Sequence, residues 1–437
     1  MTQYDLIVIG AGPGGVEAAA LAARRGLKVA LVEKDLAGGT CLNRGCVPTK
    51  CLCASAERLH EIRSAEDFGI VVGEVTAHYD KAHARAREIV DTLRDDLFSS
   101  LADVELIQGE ARLGEGNTVF AGCHFMKARR IIIATGSRPA PFPCEGGELA
   151  GNSDTFLASA ILPGSAVIVG GGVIGLELAS IMCEFGTEVT VLEFCREILP
   201  GFDSEIARRL NKALSRRGVK IITSAKATRL REASDGRLTL EYEGKKGPAI
   251  LTAEKVYGAV GRRPVLPNGL AEAGVQLDSR GYIAVDSSFC TSAPGIYAIG
   301  DVNGTCMLAH AASAQARIVS GQTDCVGCVP SVVFTIPECA SVGLTAESAD
   351  GLSAVKIPYG ANSKAMAAGT VDGFVKIVYN GQRQVVGCQI LGAHAADLIG
   401  EAAIIIDAGY TIDRLALFTV SAHPGLSELI QQVAASV

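Results

Sequence analysis

The first apolar run of the chain, Leu6-Ile-Val-Ile9, stops at Gly10-Ala-Gly12-Pro-Gly14-Gly15 and gives way to an alanine-rich stretch ending near Gly26. Short apolar runs closed by glycine predict buried strands, and the longer run of small residues predicts a helix packed on them. A second strand, Lys28 to Val32, ends on the acid Glu33. The same order returns later: Ala166-Val-Ile-Val169, Gly170-Gly-Gly172-Val173-Ile174-Gly175, a helical stretch to about Gly186, and a strand from Glu188 to Leu192 that ends on Glu193. Glycines and acid recur at one offset of 160 residues, Gly10 to Gly170 and Glu33 to Glu193.

Each unit closes on a related strand and turn, Ile131-Ile-Ile-Ala-Thr135-Gly136-Ser-Arg-Pro139 and Val256-Tyr-Gly-Ala-Val-Gly261-Arg-Arg-Pro264. Pro141 to Gly151, rich in Pro and Gly, reads as a linker. A further strand, Ile296-Tyr-Ala-Ile299, ends on Gly300-Asp301 and precedes a helix from about Ala309 to Gly321. From about Pro330 the pattern changes to strands such as Phe374-Val-Lys-Ile-Val-Tyr379 mixed with helices. The expected fold is α/β, with two Rossmann-like dinucleotide-binding domains and a C-terminal α+β domain. The expected boundaries are 1–143 and 265–329 for the two parts of the first domain, 144–264 for the second and 330–437 for the last.

One glycine-rich turn is a weak signal, but two in strand–turn–helix context, each with a terminal acid, are a strong one. Glycine lets the backbone approach a pyrophosphate, and the helix N-terminus supplies free N–H groups and the positive end of a dipole. Glu33 and Glu193 are suited to accept hydrogen bonds from ribose hydroxyls. A carboxylate repels a 2′-phosphate, so Glu193 favours NAD over NADP; Phe194 and Cys195 follow it, and Arg196 is the first nearby cation. Two sites imply two dinucleotides, FAD in the first and NAD in the second, a pairing suited to hydride transfer.

A chain of 437 residues is long enough for two to four domains. Its net charge of −7 argues against a nucleic-acid partner. The first strand begins at Tyr4, which leaves no room for a secretory signal, and the apolar stretch Ala166 to Cys183 contains four glycines and Glu177, which disfavours a membrane span. A cytoplasmic protein with no membrane or nucleic-acid partner is expected. Fourteen cysteines in such a chain are mostly buried thiols, because a disulfide in reducing cytosol is usually transient and catalytic.

The exception is Cys41-x4-Cys46. Five residues of regular α-helix rise about 7.5 Å, beyond the roughly 7 Å Cα separation a disulfide tolerates. A bond here needs a distorted segment, and Gly38, Gly39, Gly45 and Pro48 supply irregularity. The pair reads either as a redox disulfide beside a flavin ring or as two buried thiols at a helix start. Its place within the first nucleotide unit favours the former. Cys325-x-x-Cys328 has metal or redox spacing but no second ligand pair nearby, so no metal site is expected.

Gly39-Thr40-Cys41-Leu-Asn-Arg-Gly-Cys46-Val-Pro-Thr-Lys50 resembles the signature of the class I pyridine nucleotide–disulfide oxidoreductases. So do Ile133-Ala-Thr-Gly-Ser-Arg-Pro139, Gly170-Gly-Gly-Val-Ile-Gly-Leu-Glu177, Tyr297-Ala-Ile-Gly-Asp301 and Ala422-His423-Pro-Gly-Leu-Ser-Glu428. Within the family the chain is most similar to the dihydrolipoamide dehydrogenases. The resemblance implies that the first nucleotide domain takes FAD, the second takes NAD, and the last forms a homodimer. It implies that Cys41 exchanges with substrate, that Cys46 faces the flavin, and that Lys50 and Glu177 pair near the flavin N5. His423 is implied as the acid/base, oriented by Glu428 and delivered from the partner subunit. The FAD contacts implied are Gly10, Gly12, Gly14, Gly15, Glu33, Lys34, Gly39, Thr40, Lys50, Ala111, Thr135, Gly136, Asp301, Met307, Leu308 and Ala309. Those for NAD are Gly170, Gly172, Val173, Ile174, Gly175, Glu193 and Gly261, with Val173 where some relatives carry a gating tyrosine.

The implied reaction is dithiol/disulfide exchange coupled through FAD to NAD+/NADH, with a lipoyl-bearing protein or small dithiol as partner. Ser421 stands where dihydrolipoamide dehydrogenases typically carry another histidine, and Gly425 replaces the usual threonine. The alternatives are an NADH-dependent reductase of another small disulfide and a flavin-based redox sensor without turnover. A sensor needs no proton relay, so His423 and Glu428 favour an enzyme.

Overall fold

The computed structural model describes residues 1–418 and 420–437, with the side chain of Phe418 left aside. The chain forms two compact units, one of Met1–Cys51, Asp80–Ala140 and Gly261–Val326, the other of Leu52–Tyr79, Pro141–Val260 and Gly327–Val437.

In the first unit the opening apolar run becomes the strand Thr2–Ile9, flanked in parallel by Val29–Glu33 and His124–Ile133. Glu105–Gln108 and Ile296–Ala298 extend the parallel pairing, and a hairpin of Ala111–Gly114 and Thr118–Ala121 completes seven strands. Successive side chains of a strand point to opposite faces. Ile7 and Ile9 accordingly enter one buried cluster, while Leu6 and Val8 enter another. Both faces are covered, which is why the sequence reads as unbroken apolar runs rather than as an alternation. The helix Pro13–Ala23 packs small residues, Ala18 and Ala19 among them, against the sheet.

The second unit contains a five-stranded parallel sheet in the order Lys220–Ile222, Glu188–Leu192, Ser165–Val169, Lys255–Gly258, Gly151–Asn152. The helix Val173–Glu184 follows its central strand, and a separate antiparallel sheet runs through Lys226–Glu232, Leu238–Gly244 and Gly247–Ala253. The rest of this unit is a five-stranded antiparallel sheet, Ser331–Val333, Cys339–Gly343, Val385–Leu391, Phe374–Tyr379 and Ser353–Pro358, with the helices Ala395–Asp407 and Glu428–Ala434 packed on it. Ile377, Ile390, Ile399 and Leu429 close that core, each at most 1% exposed.

The stretch from Pro141 to Gly151 is not a free linker. Phe142, Cys144 and Ala150 pack against the core of Val167, Leu192 and Val256, and Gly151 already pairs with Tyr257. Apolar residues spaced among Pro and Gly gave it something to bury. Asn152 then caps the helix Ser153–Ala158 by accepting from Asp154 N and Thr155 N.

Candidate active site

The two glycine turns are built alike. Gly10 has φ +101°, and a Cβ there would stand 2.4 Å from the Ala134 carbonyl oxygen; one on Gly15 would stand 1.9 Å from the Gly10 oxygen. Gly170 and Gly175 repeat these approaches at 2.3 Å from Ala259 O and 2.0 Å from Gly170 O. Gly12 and Gly172 differ, because a Cβ on either would meet nothing within 4 Å. Each is the N-cap of its helix with no side-chain hydrogen bond, so the first helical amides face open space. That cradle fits a pyrophosphate. Val173 and Ile174, half-buried, form the first turn of the second helix.

Each terminal acid ties its strand to its own turn. Glu33 accepts from Ala11 N at 2.7 Å and Asp35 N at 2.8 Å. Glu193, only 6% exposed, accepts from Gly171 N at 2.5 Å and Cys195 N at 2.6 Å. A carboxylate has about four lone-pair sites, so two bonds leave capacity for a ribose. Burial and the neighbouring Glu193 push the Cys195 thiol up.

Asp301 follows the strand Ile296–Ala298 and accepts from Ser137 Oγ at 2.5 Å. Arg262 donates from Nε to Ser137 Oγ at 2.6 Å and from Nη2 to Ser137 O at 2.8 Å. Ser137 and Arg262 were not singled out from sequence. The signal was present in the two related closing turns, whose strands Ser137–Pro139 and Arg262–Pro264 pair with each other. Among the other expected contacts, Thr135 Oγ1 donates to Val265 O at 2.5 Å, Gly136 and Gly261 take positive φ, and Ala111 is buried in its hairpin. Met307 is exposed, and Leu308 is the N-cap of Ala309–Val319 without a side-chain bond. Lys34 lies 3.2 Å from Glu110 in an exposed ion pair.

The Cys41 to Cys46 segment is the distorted one its spacing requires. Cys41 lies on the helix Gly39–Arg44, Cys46 opens the helix Cys46–Arg63, and Gly45 separates them. A Cβ on Gly45 would stand 2.8 Å from Thr40 O and 3.3 Å from the Cys41 Cα. Only glycine lets the chain fold back this tightly on Cys41. Both residues are present as thiols. A hydrogen bond donated to the Cys46 side chain, then burial, pushes the Cys41 thiol far up, while Lys50 pulls the other way. Asn43, missed from sequence, secures this turn: its Nδ2 donates to Ala37 O and Gly39 O, both at 2.9 Å, and its Oδ1 accepts from Arg94 Nε at 2.9 Å.

In the second unit, His423 Nδ1 lies 2.9 Å from Glu428 Oε1, and Gly425 N donates to Glu428 Oε2 at 2.9 Å. The Gly425 amide, and then His423, hold the Glu428 carboxyl below the usual range. With Nδ1 engaged and the side chain 73% exposed, the ring presents Nε2 outward. Glu177 is buried and accepts from Phe334 N at 3.0 Å. It belongs to the second unit and Lys50 to the first.

The family model described as pyridine nucleotide-disulphide oxidoreductase matches residues 4–316, and that of the family's dimerisation domain matches 329–434. The chain belongs to the pyridine nucleotide-disulphide oxidoreductase family. It is 38% identical to the dihydrolipoyl dehydrogenase of Geobacillus stearothermophilus, over 99% of this chain and 96% of that one. Identity to the dihydrolipoyl dehydrogenase of Thermus scotoductus is also 38%, over 99% and 97%. Among solved structures, the Cu(II) complex of the HOCl-induced flavoprotein disulfide reductase RclA from Escherichia coli is similar at a TM-score of 0.88 and 28% identity, covering all of both chains. Membership brings the family chemistry: FAD-coupled exchange between dithiol or disulfide and NAD(H), by an oxidoreductase with a dimerisation domain. No helix among the described residues is long and apolar enough to cross a membrane.

Proposed function

We propose that the protein is an NAD-dependent dihydrolipoyl dehydrogenase, acting as a cytoplasmic homodimer on a lipoyl-bearing protein or a small dithiol. The observation that carries this reading is the His423–Glu428 hydrogen bond at 2.9 Å, because a turnover enzyme needs a proton acceptor for its dithiol and a sensor does not.

In the dithiol-oxidising direction, His423 Nε2 takes a proton from one substrate thiol, and Glu428 stabilises the imidazolium through Nδ1. The substrate thiolate attacks Cys41 Sγ. The Cys41–Cys46 bond breaks and Cys46 leaves as thiolate. The second substrate sulfur attacks the first, which closes the substrate disulfide and releases Cys41, and its proton passes to the departing Cys41 sulfur. Two electrons now reside on the Cys41/Cys46 pair. FAD held on the Gly10–Gly15 turn would supply the route for these electrons to NAD+.

Gly12 and Gly172 would cradle the FAD and NAD pyrophosphates, with Glu33 and Glu193 on the riboses. Asp301, fixed by Ser137, would hold the flavin's side chain. Lys50 and Glu177 are assigned to the flavin N5 region, and Val173 to the nicotinamide face.

A second reading, an NADH-dependent reductase of another small disulfide, draws support from the full-length likeness to a flavoprotein disulfide reductase and from Ser421 and Gly425 beside the base. Steady-state rates with lipoamide, glutathione disulfide and coenzyme A disulfide, each with NADH and NADPH, separate the two. Lipoamide with NADH at the highest kcat/KM supports the dehydrogenase, and a better disulfide overturns it.

A further inference from the structure

His423 is 73% exposed on a loop, yet a proton acceptor must be aimed. Its orientation traces back through hydrogen bonds in series to a residue outside the loop. His423 Nδ1 is held by Glu428 Oε1 at 2.9 Å, and Glu428 Oε2 accepts from Gly425 N at 2.9 Å. On the other side of the same residue, Gly425 O accepts from Asn362 Nδ2 at 3.0 Å. Asn362 is completely buried.

Its surroundings are rigid. Asn362 N donates to Tyr359 O at 2.9 Å. Tyr359 is itself fully buried, with its hydroxyl donating to Ala393 O at 3.0 Å. Asn362 Oδ1 accepts from Ala365 N at 3.0 Å, capping the short helix Ser363–Ala367. One amide thus faces two ways, its oxygen into the core-anchored turn and its nitrogen onto the histidine loop. Asparagine suits this position because its short side chain carries an acceptor and a donor on opposite sides. Serine could cap the helix but is too short to reach Gly425. Aspartate would cap it but would set a carboxylate oxygen against the Gly425 carbonyl. Ser427 hydrogen-bonds to Glu401, whose carboxyl burial pushes up, so among the described residues Glu401 and Glu428 are carboxyls bonded to this loop.

We propose that Asn362 is a positioning residue for the active-site base: its buried amide pins Gly425, and through Gly425 and Glu428 sets the direction and tautomer of His423. The proposal rests on the reading of His423 as the base. It identifies a determinant 61 positions before the histidine, on a different element.

The test uses the full-length holoenzyme with Asn362→Ser, Asn362→Asp and, in parallel, His423→Gln. Three quantities are measured: kcat and KM for dihydrolipoamide oxidation by NAD+, the NADH-to-dye rate that bypasses the base, and the melting temperature. Misaiming a reactive group by about 1 Å costs up to about a hundred-fold. Both Asn362 variants should therefore lose about ten- to a hundred-fold in kcat for dithiol oxidation. Their dithiol KM and NADH-to-dye rate should stay near wild type, since the helix cap survives in each. Wild-type kcat in both variants, or equal loss of both activities with a lowered melting temperature, overturns the proposal and leaves Asn362 a helix cap. His423→Gln separates the two ideas. Collapse there with normal Asn362 variants retains the base and discards the positioning role, whereas undiminished dithiol oxidation in His423→Gln removes the base itself and with it any role in aiming it.

Discussion

Glu193 accepts the amide proton of Gly171 at 2.5 Å, which ties the acid at the end of one strand to the glycine turn at the end of its neighbour. The carboxylate therefore has a structural and a recognition role. Leaving a buried amide unpaired costs about 1–3 kcal/mol, so Glu193→Ala should lose about that much for each of Gly171 and Cys195. The intact protein should prefer NADH to NADPH, because the held carboxylate cannot swing away from a 2′-phosphate. Equal kcat/KM for the two nucleotides contradicts the recognition role, while an unchanged melting temperature in Glu193→Ala contradicts the structural one.

Cys46→Ser should abolish the long-wavelength absorbance of the two-electron-reduced protein, and Cys41→Ser should retain it. The reason is the assignment of Cys46 as the thiol that faces the flavin and of Cys41 as the one that exchanges with substrate. Spectra of the two variants after anaerobic reduction decide it, and the opposite pattern exchanges the roles of the two thiols.

Gly45→Ala should separate the two halves of the reaction. The added methyl would stand 2.8 Å from Thr40 O, a backbone atom that cannot step aside without moving Cys41. Overpacking of this kind costs about 1–3 kcal/mol. Dithiol exchange should fall well below the NADH-to-dye rate. A variant that loses both in parallel shows a general folding defect instead.

The depressed Glu428 carboxyl carries a pH signature. A carboxyl whose folded value lies below its unfolded one stabilises the fold above the unfolded value, near 4.5, and loses that contribution as pH falls through the folded value. Glu428→Gln should therefore melt below wild type at neutral pH, and the two curves should converge in acid. The effect is small because its partner, His423, is solvent-exposed. A difference that widens toward low pH contradicts the sign.

The repeat of glycine turns and acids made both parallel sheets legible, since unbroken apolar runs closed by glycine follow directly from strands covered on both faces. The break in the helix between Cys41 and Cys46 was legible for the same kind of reason: the rise of a regular helix keeps that spacing too long for a disulfide, and Gly45 interrupts it. Asn43 and Asn362 were not legible, and Ser137 and Arg262 were marked only by the two related closing turns in which they stand. Each acts through hydrogen bonds to backbone or side chains whose position depends on the tertiary fold, and a lone Asn, Ser or Arg carries no periodicity to mark it. The Pro141–Gly151 stretch was misread because its turn residues outweighed Phe142 and Cys144, which the core of the second unit takes in.

The most direct test of the account is steady-state NADH formation from dihydrolipoamide and NAD+ by the wild-type holoenzyme, with His423→Gln measured alongside. General acid–base groups contribute about 10²–10⁴-fold, so the variant should fall by an amount in that range while NADH-to-dye electron transfer survives. A wild-type protein that reduces its flavin but does not turn over dihydrolipoamide, or a variant that loses both activities equally, contradicts it.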